Sequence, residues 1–167
     1  LNVAADPLMS LAYVGVKGGM VVVSADDPGP ISSQTEQDTR RFGEFARIPV
    51  FDPSSPEEAF EMGKDAYECS EKYGTPVLFR PTTRVNHAYG QIDTEDDASP
   101  KEYEGFVKDS SKWVIFPKLS SRNHALIEKR NTEIAREFSS YRFNVAEGSG
   151  SKAVFTNGIS YGYVKDA

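Results

Sequence analysis

The sequence predicts an α/β fold: a parallel sheet with helices on both faces. Three observations carry this expectation. Residues 20–24 (MVVVS), 48–51 (IPVF) and 76–80 (PVLFR) are short apolar runs of the kind buried as parallel strands. Longer segments with helical spacing or caps separate them, and Pro or Gly stands at the junctions. The resulting order, α-β-α-β-α-β, is that of parallel strands joined by right-handed crossovers.

The first helix is expected to have Asp6 as N-cap, Pro7 at its first position and Gly18 and Gly19 as its left-handed stop. Leu8, Met9, Leu11, Ala12, Tyr13, Val14 and Val16 make it apolar nearly all round. That suits a helix inside a larger assembly, with sequence missing upstream. After the 20–24 strand, residues 26–30 (DDPGP) must be a loop. A second helix over 34–46 is expected from the capping-box spacing of Ser33 and Glu36. Beyond the 48–51 strand, Ser55, Pro56 and Glu58 start a third helix. Its apolar stripe is Ala59, Met62, Ala66, Cys69 and Tyr73, and Gly74 stops it.

The character changes near Val85. Residues 86–112 carry the acidic cluster Glu95-Asp96-Asp97 and Ser99-Pro100, and read as a connector over a surface. Residues 113–116 are apolar enough for a strand. A long polar helix over 122–139 follows, with Leu126, Ile127, Ile134 and Phe138 as its apolar side. Residues 153–155 start one more strand and 160–167 open a helix.

Composition narrows the function. A net charge of -6 argues against a nucleic-acid partner, which needs a basic face. No apolar run approaches the ~20 residues that cross a bilayer, and residues 1–8 lack an export leader, so the expectation is a cytoplasmic protein without a membrane partner. A single cysteine, Cys69, excludes an internal disulfide and any self-contained iron–sulfur cluster, which takes about four thiolates. His87 and His124 have no partner at zinc-site spacing, so no metal site is expected; they read as surface histidines, and Cys69 as inert.

Ligands gather at the carboxyl ends of strands in open α/β sheets. One such end runs through Asp26, Asp27, Ile31, Ser32, Ser33 and Gln34 into the amino terminus of the second helix. Free N–H groups there suit a carboxylate or another anion. The same residues also read simply as a cap and turn. The other end brings Arg84, whose fork of donors suits a carboxylate or phosphate, though such an arginine more often pairs with a neighbouring acid. No residue stands out as catalytic, and the residues alone name no reaction.

Residues 1–9 (LNVAADPLM), 15–20 (GVKGGM), 32–40 (SSQTEQDTR), 73–78 (YGTPVL), 82–85 (TTRV) and 158–164 (GISYGYV) resemble, in this order, the α subunit of indolepyruvate:ferredoxin oxidoreductase. That family is one of the thiamine-diphosphate-dependent 2-oxoacid:ferredoxin oxidoreductases. The resemblance implies oxidative decarboxylation of an aryl 2-oxoacid to an acyl-CoA, with coenzyme A as acceptor, a β subunit as partner and electrons leaving to ferredoxin. It implies thiamine diphosphate with Mg²⁺ and 4Fe-4S clusters in the parent enzyme. It further implies that residues 1–85 are the C-terminal half of a pyrimidine-binding domain, 86–150 a connector with one long helix, and 151–167 the start of a following α/β domain. The family's activating glutamate matches upstream of Leu1, and its magnesium–diphosphate motif and cluster cysteines match downstream of Ala167. The isolated piece is therefore expected to bind no cofactor, to be inactive alone and to self-associate. By position, Asp26, Asp27, Ile31, Ser32, Ser33, Gln34 and Arg84 face substrate and cofactor. One departure stands out: the family has histidine where this chain has Ile31, which neither donates a hydrogen bond nor carries a proton. The alternative is a non-catalytic α/β scaffold or dimerisation module.

Overall fold

The computed structural model describes residues 2–94, 102 and 105–167. A 3₁₀ turn leads into α1 (Ala5–Val14). Then come β1 (Val21–Val23), α2 (Phe42–Ala46), β2 (Val50–Phe51), α3 (Pro56–Tyr73), β3 (Val77–Phe79) and α4 (Thr83–Asn86). The remainder is helical: α5 (Ser110–Trp113), α6 (Pro117–Phe138) and α7 (Ser160–Asp166). The Glu95-Asp96-Asp97 cluster and Ser99-Pro100, expected in the connector, lie outside the described residues.

The three strands form a parallel sheet in the order β1-β3-β2. Each strand sends alternate residues to opposite faces, because side chains repeat every two residues. On one face Phe51, Val77 and Phe79 pack with Met62, Ala66 and Cys69 of α3, joined by Phe138, Tyr141 and Phe143 from the end of α6 and beyond. On the other, Leu78, Val22 and Val50 pack with Leu8 and Ala12 of α1 and Ala46 of α2. Helices thus cover both faces, as an α/β fold requires. β3 is buried throughout, whereas Val23 of β1 is 64% exposed: the 20–24 run is an edge strand here, not one covered on both faces.

Helix α3 follows the sequence closely. Ser55 accepts from the Glu58 N–H, Glu58 accepts from the Ser54 N–H, and Gly74 ends the helix in the left-handed conformation. Buried Ser70 then ties this end to the sheet, taking the Met20 N–H (2.8 Å) and donating to the Thr75 carbonyl (2.6 Å). Burial lifts the Cys69 thiol to about 11, so it stays protonated and unreactive.

Other elements differ from expectation. α1 stops at Gly15, not at Gly18 and Gly19, and Asp6 sits inside the first turn instead of capping it. Gly15 has φ 76°, and a Cβ there would lie 2.6 Å from the Gly74 carbonyl oxygen; the ends of α1 and α3 meet too closely for a side chain. The second helix is only Phe42–Ala46, because residues 31–41 are drawn into another arrangement described below. Residues 113–116 are not a strand: Trp113 closes the short α5, and Pro117 opens α6. Residues 153–155 form no strand either; Val154 and Phe155 are exposed. In α6 the buried residues are Leu119, Asn123, Ile127 and Ile134, while Leu126 faces solvent.

Candidate functional site

The site is built at the carboxyl ends of β1, β2 and β3. Arg80, one residue past β3, is 3% exposed and reaches three carboxylates from three segments. Its Nε donates to Asp26 (2.6 Å), one terminal nitrogen to Asp52 (2.8 Å) and the other to Asp38 (3.2 Å). Asp26 also accepts the Thr39 N–H (2.5 Å) and the hydroxyls of Thr39 and Ser24. Pairing of this kind offsets the cost of burying a guanidinium. The Arg40 hydrogen bond holds Asp38 below the usual carboxylate range. Burial pushes Asp52 up, with the Arg80 charge opposing it.

Asp27 organises the loop that follows. Its backbone pairs with that of Gln37, closing residues 28–36 at their base. Its Oδ2 accepts the N–H groups of Ile31 (3.0 Å), Ser32 (2.8 Å) and Ser33 (2.7 Å), and its Oδ1 accepts the Thr83 hydroxyl (2.8 Å). These bonds, Ser33 and Ser32 foremost, hold its carboxyl far below the ordinary range. This overturns the expected anion site at a helix amino terminus. Residues 34–41 form no helix, Ser33 caps nothing, and the N–H groups at 31–33 are already spent on the protein's own carboxylate.

A cavity of about 310 Å³ opens beside this network. It gathers Asp27, Ile31 and Arg84 with Arg40, Arg80, Thr82 and Thr83 from the strand ends, and Asn157, Ile159, Ser160 and Tyr163 from the last segment. Of the residues singled out from sequence, Asp26 lies buried behind the cavity, while Ser32, Ser33 and Gln34 are exposed on the loop and do not line it. The wall from the last segment was missed, since residues more than seventy positions away meet Arg84 only through the tertiary fold. Arg80 had a visible signal, a charge at the end of an apolar strand just before Pro81.

The last segment is fastened by Asp52, which accepts from Asn157 Nδ2 (2.6 Å) and lies so close to Gly158 that a Cβ there would clash with its carboxylate. Tyr163 of α7 places its ring 5.9 Å from the Arg84 guanidinium. Among the described residues no carboxylate pairs with Arg84. Thr82 is 3% exposed and its hydroxyl oxygen, buried in the cavity wall, has no hydrogen-bond partner among the described residues.

The sequence is 40% identical over the full chain to the indolepyruvate oxidoreductase subunit IorA of Pyrococcus horikoshii, and 41% identical to that of Thermococcus kodakarensis. The corresponding subunit of Methanothermobacter marburgensis is 36% identical, again over the full chain. Over its whole length this chain is similar to one part of these IorA subunits. It spans 27% of the length of the Pyrococcus and Thermococcus IorA proteins. No family model and no solved structure matches it. Among the described residues no helix is long and apolar enough to cross a membrane.

Proposed function

We propose that this chain is the part of an indolepyruvate oxidoreductase α subunit that receives the 2-oxoacid substrate. In this reading the whole enzyme is cytoplasmic. It oxidatively decarboxylates an aryl 2-oxoacid to an acyl-CoA, works with a β subunit, and passes electrons to ferredoxin. The observation that carries the reading, beyond the full-length similarity, is the cavity at the strand ends. Among the described residues Arg84 has no carboxylate partner there and the buried Thr82 hydroxyl has no hydrogen-bond partner, and Ile31, Ile159 and Tyr163 supply apolar walls. An aryl 2-oxoacid has the matching parts: a carboxylate for the guanidinium fork and an aromatic ring for the apolar wall. Ile31, where the family has histidine, adds to that wall and moves no proton.

In this reading the enzyme also uses thiamine diphosphate, magnesium and 4Fe-4S clusters, and the described residues of this chain offer no seat for the magnesium or the clusters. Among the described residues no group of three His, Cys, Asp or Glu side chains can hold a metal ion, and there is one cysteine. The chain's own contribution is to bind and orient: Arg84 the carboxylate, Thr82 an adjoining polar atom, Asp27 the loop that carries Ile31. A scaffold role fits the spent amides of that loop, and one experiment separates the two readings. In the assembled enzyme, Arg84→Gln loses a charge-assisted hydrogen bond worth about 1.5–3 kcal/mol, so KM for indolepyruvate rises roughly ten- to a hundredfold. Arg84→Lys recovers part of this. An unchanged KM in both variants removes the substrate reading and leaves the scaffold.

A further inference from the structure

We propose that a second cleft, between α1, α3 and α6 at the amino ends of the strands, binds a phosphate-bearing small molecule. The cleft measures about 460 Å³, within the range of about 300–1,000 Å³ usual for ligand sites. Lys72, Lys112, Arg122, Lys129 and Arg130 line it against a single carboxylate, Glu133. The chain as a whole carries -6, so this concentration of positive charge runs against its composition.

Several of these cations have partners. Lys72 pairs with Glu137 (2.5 Å), Lys129 reaches Glu133 at 3.9 Å, and Arg122 donates to the Ser111 carbonyl (2.9 Å). Lys112 lies over the Trp113 ring and near Asp109. The ends of α1 and α3 also point carbonyl groups here, and a cation in the last turn offsets that partial negative charge. Lys72 has that place on α3, and for α1 the Tyr13 carbonyl is taken by Asn123 Nδ2 (2.9 Å). These needs do not account for Arg130. One of its terminal nitrogens donates to the Arg47 carbonyl (3.3 Å), but its Nε is buried and has no partner among the described residues. Burial lowers its pKa, as expected for a desolvated guanidinium lacking a counter-charge.

An unpaired N–H on a desolvated guanidinium costs free energy that a bound anion recovers, and the fork geometry suits phosphate oxygens. Four further cations around one cleft favour a multiply charged anion over a single carboxylate. The small volume of the cleft and the net charge of -6 favour a small molecule over a nucleic acid.

The test is calorimetric titration of the full-length subunit with inorganic pyrophosphate. The subunit is first saturated with thiamine diphosphate and freed of excess magnesium, so the cofactor site does not respond. One saturable site is expected, weakening as KCl rises. Arg130→Gln lowers affinity about tenfold, and Lys112→Gln and Arg122→Gln lower it by smaller factors. Lys64→Gln, about two turns before Lys72 on α3 and over the Phe60 ring, outside the cleft, leaves it unchanged. The Lys112 and Arg122 variants, neither at a buried residue, keep the test valid if Arg130→Gln does not fold. No saturable heat, or wild-type affinity in Lys112→Gln and Arg122→Gln, overturns the proposal.

Discussion

Replacing Arg80 by Met is expected to be among the most damaging single changes in this chain, and to be less damaging in acid. Three carboxylates lose a partner, but not equally. Asp26 is 1% exposed beside a guanidinium that is 3% exposed, so its charge is left with hydroxyl and amide donors but no cation. Breaking a buried pair from one side costs about 3–5 kcal/mol. Asp38 is 23% exposed and keeps Arg40 at 2.5 Å, so its share is about 0–1 kcal/mol. The expected loss near pH 7 is about 4 kcal/mol, or roughly 8–16 °C in Tm for a chain of this size. Asp52 sets the pH dependence. Burial already raises its pKa and Arg80 opposes that rise, so the variant raises it further. A carboxyl with a raised folded-state pKa binds more protons folded than unfolded. The variant's deficit is therefore full above that pKa and shrinks as pH falls through it. Thermal unfolding followed by circular dichroism at about pH 7 and about pH 5 reads both quantities. A Tm loss below about 3 °C, or a loss that grows in acid, refutes the network as described.

Two further substitutions probe other parts of the fold. Asp27→Asn weakens the bonds to Ile31, Ser32 and Ser33, so hydrogen exchange at those three amides accelerates while the core of β3 stays protected. In the unmutated chain Asp27 supports the fold above the ordinary carboxylate range and loses that support only as pH falls below it. Leu78→Ala, at a fully buried position of the central strand, costs about 2–5 kcal/mol, read as a lower urea midpoint with unchanged slope.

The parts of this fold that local chemistry decides were readable in the sequence. Ser55, Pro56, Glu58 and Gly74 mark α3 unambiguously, because caps and stops act through neighbours in the chain. The three apolar runs all became strands, shortened at their ends. What could not be read was competition from a distance. Ser33 and Glu36 have the spacing of a helix start, but the Asp27 carboxylate takes the Ser33 N–H that a capping box would give to Glu36, and Glu36 accepts the Gly29 N–H instead. Residues 113–116 and 153–155 show why a short apolar run is ambiguous: without a neighbouring strand to bond, one closed a helical turn and the other stayed irregular. At the cavity, Asp27, Ile31 and Arg84 were found from position alone, whereas Asn157 and Tyr163 are brought there by the fold.

The placement of α6 bears on how the chain is made. Its far end supplies Phe138, Tyr141 and Phe143 to a sheet face whose other residues come from much earlier in the sequence, and Glu137 meets Lys72 across 65 positions. At about 5–20 residues per second, a ribosome needs roughly 3–13 s to bridge that interval. During that time Phe51, Val77 and Phe79 emerge with α3 but without their aromatic cover. The nascent polypeptide thus passes through a stage with a sticky, half-roofed surface, the kind of species that chaperones shield.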